Sequence, residues 1–185
     1  MKNNRGDITN SLVHLTKEKD EDSGLEVLCK ILKDGIIKGS GNDGFIKGPN
    51  AATCFTETPL SALKHFASEE TETDEVRYRY YGVAISKETG FEQGARPVIY
   101  LPDNEANWIP TEHKWRHVQY NHGLVDWTHE REWRVKGDFD ITKSIGIYIV
   151  CWHSNEIEKI KEAMNEKVAA KVRGFLPMLD LNQML

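Results

Sequence analysis

Two stretches of this chain carry helical periodicity and every other apolar run is short, a mixture that restricts the fold more than any other feature. In "DSGLEVLCKILKDG", Ser23 with Glu26 three residues on spells a capping box. Leu25, Leu28, Cys29 and Leu32 then fall at i, i+3, i+4 and i+7, and Gly35 supplies the stop. A second capped helix is expected from Ser154 to about Val172, with Ile157, Ile160, Met164 and Val168 along one side. Around these lie runs rich in β-branched and aromatic residues that read as strands: "NSLVHLT", "ATCF", "RYRYYGVAIS", "PVIYLP", "EREWRV", "SIGIYIVCW" and the closing "GFLPMLDL". Thr58 before Pro59 reads as the N-cap of a further helix. "NEANWIPTEHKWRHVQYNHG" is expected to be helical in part, with Pro110 interrupting it. The elements lack the regular βαβ alternation of a doubly wound sheet, and neither a repeat nor a dividing linker is visible. The expectation is therefore α+β: a single domain over 1–185, with a mixed, split β-sheet flanked by helices.

A chain of 185 residues is long enough to bury roughly two-thirds of the surface it exposes unfolded. Its 29 acids against 24 bases give a formal charge of −5, so no global attraction to nucleic acid or to a membrane surface is built in. From Ser68 to Glu75 the acids stand without a base between them, which reads as a solvated loop. Cys29, Cys54 and Cys151 are odd in number and sit among apolar residues, as free thiols in a reducing compartment do. The first ten residues have no apolar core, and no apolar run approaches the roughly 20 residues of a membrane span. A cytoplasmic protein with no membrane association is expected.

The stretch "DWTHEREWRV" admits two readings. As a strand it places Glu130, Glu132 and Arg134 on one face and Arg131, Trp133 and Val135 on the other. In one reading this is an edge strand with a Glu–Arg ladder facing solvent. In the other, two carboxylates project side by side into a site, where one holds a ligand hydroxyl and the other stabilises developing positive charge. Splitting a nicotinamide–ribose bond, whose ribose becomes oxocarbenium-like, needs that arrangement. Arg96, before a proline in a glycine-containing turn, is a candidate bidentate donor to pyrophosphate or a surface arginine.

Other chemistries find less support. His113 and His117 stand four apart with Glu112 and Asp126 near, but no H-E-x-x-H or C-x-x-C accompanies them and no metal is expected. Lys114 to Tyr120 mixes bases with aromatics, as a small nucleic-acid-binding module does and as an amphipathic helix also does. There is no G-x-S-x-G, and "GSGNDG" lacks the lysine and hydroxyl of a phosphate loop.

Several segments, in order, resemble a bacterial family. Phe55 to Leu60 matches an F-x-x-x-P-L segment, and Tyr81 to Glu88 a Y-G-hydrophobic-x-hydrophobic-S-K-E segment. Pro97 to Tyr100 matches a P-V-hydrophobic-Y strand, and Glu130 to Arg134 an E-x-E-W-R strand. Over roughly residues 8 to 152 the chain resembles the AbiGi-type abortive-phage-resistance proteins and a related domain-of-unknown-function group. That group is similar in element order to ADP-ribosyltransferase domains such as the DarT-type nucleic-acid modifiers. The resemblance implies NAD as substrate. His14 and Thr16 of "HLT" would touch its adenosine ribose, with Leu15 standing where glycine is common. Phe55 and Thr56 would follow on a second strand, and the nicotinamide would stack near Tyr80 or Tyr81. Glu132 would carry the catalytic step and Glu130 would choose or activate the acceptor, a nucleic acid or a protein. The setting implied is anti-phage defence or a toxin–antitoxin system. The alternative is a catalytically inactive antitoxin that restrains a partner toxin. Each residue also has a structural reading: His14 as a core or turn histidine, Thr56 as a helix cap, the tyrosines as packing.

Overall fold

The computed structural model describes residues 9–41, 45–65 and 78–184. The acidic run from 68 to 75 lies outside these, as do the first eight residues and part of the glycine-rich stretch at 39–44. In chain order the elements are β1 (Ser11–Leu15), α1 (Gly24–Asp34), β2 (Ile36–Ile37), β3 (Ala52–Thr56), β4 (Gly82–Ser86), α2 (Lys87–Glu92), β5 (Arg96–Pro97), β6 (Ile99–Leu101) and β7 (His117–Gln119). Then follow β8 (Glu132–Lys136), β9 (Phe139–Asp140), β10 (Ile147–Cys151), α3 (Ile157–Ala163), α4 (Glu166–Ala169), β11 (Val172–Pro177) and α5 (Met178–Met184). Short 3-10 turns link them, and the architecture is mixed α+β.

Seven strands form one sheet in the order β11-β10-β4-β1-β3-β8-β5, with β2–β9 and β6–β7 as separate two-stranded ribbons. The sheet is mixed, since β10 and β11 run parallel and its other neighbours antiparallel. Both faces of the central strands are buried. Leu12, Val83, Ile85, Ile147 and Ile149 face one way, onto Leu28 and Leu32 of α1 and Ile160 of α3. Val13, Leu15, Ala84 and Val150 face the other, onto Leu63 and Met178. Such two-sided burial explains why these strands read as near-continuous apolar runs. A β-carbon on Gly82 would collide with the His14 carbonyl, so the tyrosine–glycine pair at 81–82 is fixed by the close approach of β4 to β1.

The first helix forms as its sequence dictates. Ser23 Oγ accepts from the Glu26 N–H, Glu26 accepts from the Ser23 N–H (2.8 Å), and Gly35 closes the helix at φ +73°. The second is interrupted at Met164 and Asn165. Asn165 caps α4 through the Val168 N–H (2.9 Å) and donates to the Lys33 carbonyl (2.7 Å), so it also ties down the end of α1. His153, not Ser154, caps the preceding turn. Thr58 caps no α-helix, since Leu60–His65 is a 3-10 turn and the Thr58 hydroxyl donates to the His129 carbonyl instead. "RYRYYGVAIS" becomes a strand only at Gly82, and "PVIYLP" is divided between two sheets. "GFLPMLDL" leaves the sheet at Pro177 and turns helical. No helix among the described residues is long and apolar enough to cross a membrane.

Candidate functional site

The sheet is pinched between β1 and β3. β1 pairs with β4 at five register positions but meets β3 at one, Val13 opposite Thr56. Beyond that point the strands part, and His14 Nδ1, 2.8 Å from the Cys54 carbonyl, spans the gap. The ring packs edge-on to Phe55, centroids 5.9 Å apart. Burial lowers the His14 pKa against the opposing effect of this hydrogen bond, so the imidazole is neutral. A carbonyl only accepts, so Nδ1 carries the proton and Nε2 the lone pair.

A cleft of about 50 Å³ opens at this parting, lined by Val13, His14, Leu15, Cys54, Phe55, Thr56, Tyr78, Glu130 and Glu132. It follows the seam between two apolar clusters on one sheet face, that of Val13 and Leu15 and that of Ala52, Ile46 and Trp115. Thr56, Glu130 and Glu132 bring polar groups into a lining that is otherwise mostly apolar.

The two glutamates reach the cleft by different routes. Glu132 opens β8 opposite Thr56. Glu130 is not on the strand at all, which corrects the expectation that both carboxylates share one strand face. It ends the 3-10 turn Thr128–Glu130 and is 8% exposed, and Arg131 turns the chain in a left-handed conformation (φ +45°, ψ +50°). β3 grips this turn, the Thr56 hydroxyl donating to the Glu130 carbonyl (2.6 Å) and the Glu57 N–H to the Arg131 carbonyl (3.1 Å). Tyr100 closes it from the other side, its hydroxyl donating to the Trp127 carbonyl and accepting from the Glu132 N–H, each 3.2 Å. Burial pushes that phenol up to about 12.

Glu132 accepts a forked pair from Arg134, Nε to Oε1 at 2.8 Å and Nη2 to Oε2 at 3.0 Å. Arg134 is 2% exposed, and its Nη1 donates to the Trp115 and His117 carbonyls (2.8 and 3.3 Å). Burial alone would lower the arginine pKa, but the Glu132 charge and hydrogen bonds outweigh it and the net shift is upward. A carboxylate offers about four lone-pair positions, so the fork leaves Glu132 acceptor capacity toward the cleft. Burial, then the Glu132 charge, drives the Cys54 thiol far above the ordinary thiol range and makes it a poor nucleophile.

Of the residues singled out in the sequence, the cleft brings together His14, Phe55, Thr56, Glu130 and Glu132, and it excludes four. Thr16 is buried and donates to the Gly24 and Tyr81 carbonyls, pinning the end of β1. Tyr80 stacks on Trp152 at 5.1 Å within the Val13 cluster and does not line the cleft. Tyr81 belongs to the main core and donates to Glu156 (2.7 Å). Arg96 lies on β5 at the sheet edge, over Phe91. The sequence reading missed Tyr78, which lines the cleft, and Tyr100, which holds its turn. For Tyr100 the signal was present, since one tyrosine in an apolar strand needs a partner for its hydroxyl when buried. His117, the second histidine of the i, i+4 pair, donates through Nε2 to the Leu101 carbonyl (2.9 Å), and no metal-ligand cluster occurs among the described residues.

Comparison with protein-family models, curated proteins and solved structures returns no match.

Proposed function

We propose that the cleft between β1 and β3 is the site of NAD-dependent ADP-ribosyl transfer or NAD cleavage, acting in bacterial anti-phage defence or a toxin–antitoxin system, in a domain of ADP-ribosyltransferase type. The observation that carries this reading is the convergence of His14, Thr56, Glu130 and Glu132, from three separate stretches of sequence, on one cleft. In the reaction, the bond from ribose C1′ to the pyridinium nitrogen breaks and its electron pair leaves with nicotinamide. The positive charge passes to C1′ and its ring oxygen, and the acceptor's nucleophilic atom adds there and loses a proton. On this reading Glu132, oriented by Arg134, stabilises that charge, and Glu130 takes up the acceptor's proton. Neutral His14 offers Nε2 to a ribose hydroxyl. The acceptor is a nucleic acid or a protein.

A cleft of about 50 Å³ holds a few waters and is too small for a nicotinamide ring, so NAD enters only as lining side chains move. Tyr78 is the lining residue outside the strands and turn that build the site. That small volume, with the Glu132–Arg134 fork, favours a second reading. The fold then serves as a catalytically inactive antitoxin that binds and restrains a partner toxin.

Nicotinamide release from NAD by wild type, Glu130→Gln and Glu132→Gln separates the two, with thermal unfolding of each variant run alongside. The enzyme reading expects release by wild type and its loss in a folded glutamine variant. Absence of release from folded wild type, with and without nucleic-acid or protein acceptors, leaves the scaffold reading.

A further inference from the structure

Arg96 and Arg116 stand on different elements, β5 and the 3-10 turn Thr111–Arg116, yet both are moored to one short segment by main-chain carbonyls. Arg96 Nη1 donates to the carbonyls of Phe91 (2.9 Å) and Ala95 (2.7 Å), and its guanidinium lies 3.9 Å over the Phe91 ring. Arg116 donates through Nε (3.3 Å) and Nη2 (3.0 Å) to the carbonyl of Pro97, the residue after Arg96. Neither arginine is in an ion pair among the described residues, although Glu88 and Glu92 lie on the adjoining α2. The contrast with Arg134, opposite Arg96 in the sheet, is direct: that guanidinium is matched by Glu132.

Long cationic side chains on a surface ordinarily spread into water, where their charges are screened. Here both are tied to carbonyls of the 95–97 segment, and burial with the charge of Arg96 depresses the Arg116 guanidinium. Each keeps unused donors. Arg96 commits only Nη1, leaving Nε and Nη2, while Arg116 leaves Nη1. Two fixed guanidinium groups with open N–H pairs match the oxygens of phosphoryl groups.

We propose that Arg96 and Arg116 form a pyrophosphate-binding site at the β5 edge of the sheet, one phosphoryl group to each guanidinium. Cross-strand partners share a face, so Arg96 lies on the face that carries Arg134, Glu132 and Thr56. It stands two strands from β3, roughly 10 Å at the usual strand spacing, outside the cleft. The site stands independently of the NAD reading.

The test is calorimetric titration of the full chain with inorganic pyrophosphate at low salt, for wild type, Arg96→Gln, Arg116→Gln, Arg96→Lys and Lys114→Gln. Wild type is expected to bind, with affinity falling as chloride rises. Each arginine-to-glutamine change should weaken binding at least about tenfold, the worth of one charge-assisted contact. Arg96→Lys should also weaken it, because an ammonium keeps the charge but not the fork, and it serves if Arg96→Gln fails to fold. Lys114→Gln should bind as wild type does. No binding by wild type, or equal losses from Lys114→Gln and the arginine variants, would overturn the site. Nicotinamide release plays no part in this readout, so its absence would count against the NAD reading alone.

Discussion

His14 Nδ1 lies 2.8 Å from the carbonyl oxygen of Cys54, so one side chain joins two strands whose ladder has ended at Val13 and Thr56. The imidazole does the work of a missing backbone bond and lines the cleft. Its removal should therefore be felt in stability as well as in binding. His14→Phe leaves the Cys54 carbonyl without its donor in a partly buried place, a loss of about 1–3 kcal/mol by urea unfolding.

The same histidine sets a pH dependence. Burial holds its folded pKa below the unfolded value of about 6.5. As pH falls through 6.5 the unfolded chain takes up a proton that the folded one refuses, so stability drops until the folded pKa is reached. Unfolding measured between about pH 7.5 and 5 should show wild type losing more stability than His14→Phe. Equal slopes would mean that another group governs the acid limb.

Glu132 and Arg134 form a buried pair in which each partner depends on the other. Glu132→Gln leaves Arg134 without a counter-charge and should cost about 3–5 kcal/mol. Adding Arg134→Met should recover a large part, because no charge is then left buried. A double-mutant cycle in urea reads the coupling, and simple additivity would mean the fork contributes nothing.

Arg131 adopts a left-handed conformation, with φ +45°. A residue with a β-carbon is strained there by about 1–2 kcal/mol, and glycine is not. Arg131→Gly should consequently be about 1 kcal/mol more stable than Arg131→Ala, although both lose the same side chain. If alanine proves equal or better, the turn relaxes on substitution and is not held by Thr56, Glu57 and Tyr100.

Cys151 is fully buried, and burial raises its thiol to about 12. Alkylation at about pH 8, followed by mass spectrometry, should label it only as fast as the protein unfolds.

Much of this architecture is legible in the residues. The Ser23–Glu26 box, the leucine stripe and Gly35 define α1, and the near-continuous apolar runs at β1, β4 and β10 give strands buried on both faces. What escaped was decided by tertiary contact. Asn165 breaks the second helix because its amide is needed at the end of α1, which no local period reveals. At 130–132 the spacing E-x-E suggested two carboxylates on one strand face, but Arg131 reverses the chain and the glutamates enter from a turn and a strand. His14, Phe55 and Thr56, singled out by the resemblance, line the cleft because they stand where β1 meets β3. Tyr80, Tyr81, Thr16 and Arg96 went elsewhere, since residue type alone does not say which face of a strand or which hydrogen-bond partner a side chain takes.

The proposed entry of NAD into the cleft at the parting of β1 and β3 is tested by the nitrogen spectrum of the His14 imidazole as NAD is added. Nε2 should move as it accepts a ribose hydroxyl, while Nδ1 keeps its proton and its bond to Cys54, and the change should saturate with NAD. An unmoved Nε2 at millimolar NAD, in a protein shown to be folded, would contradict it.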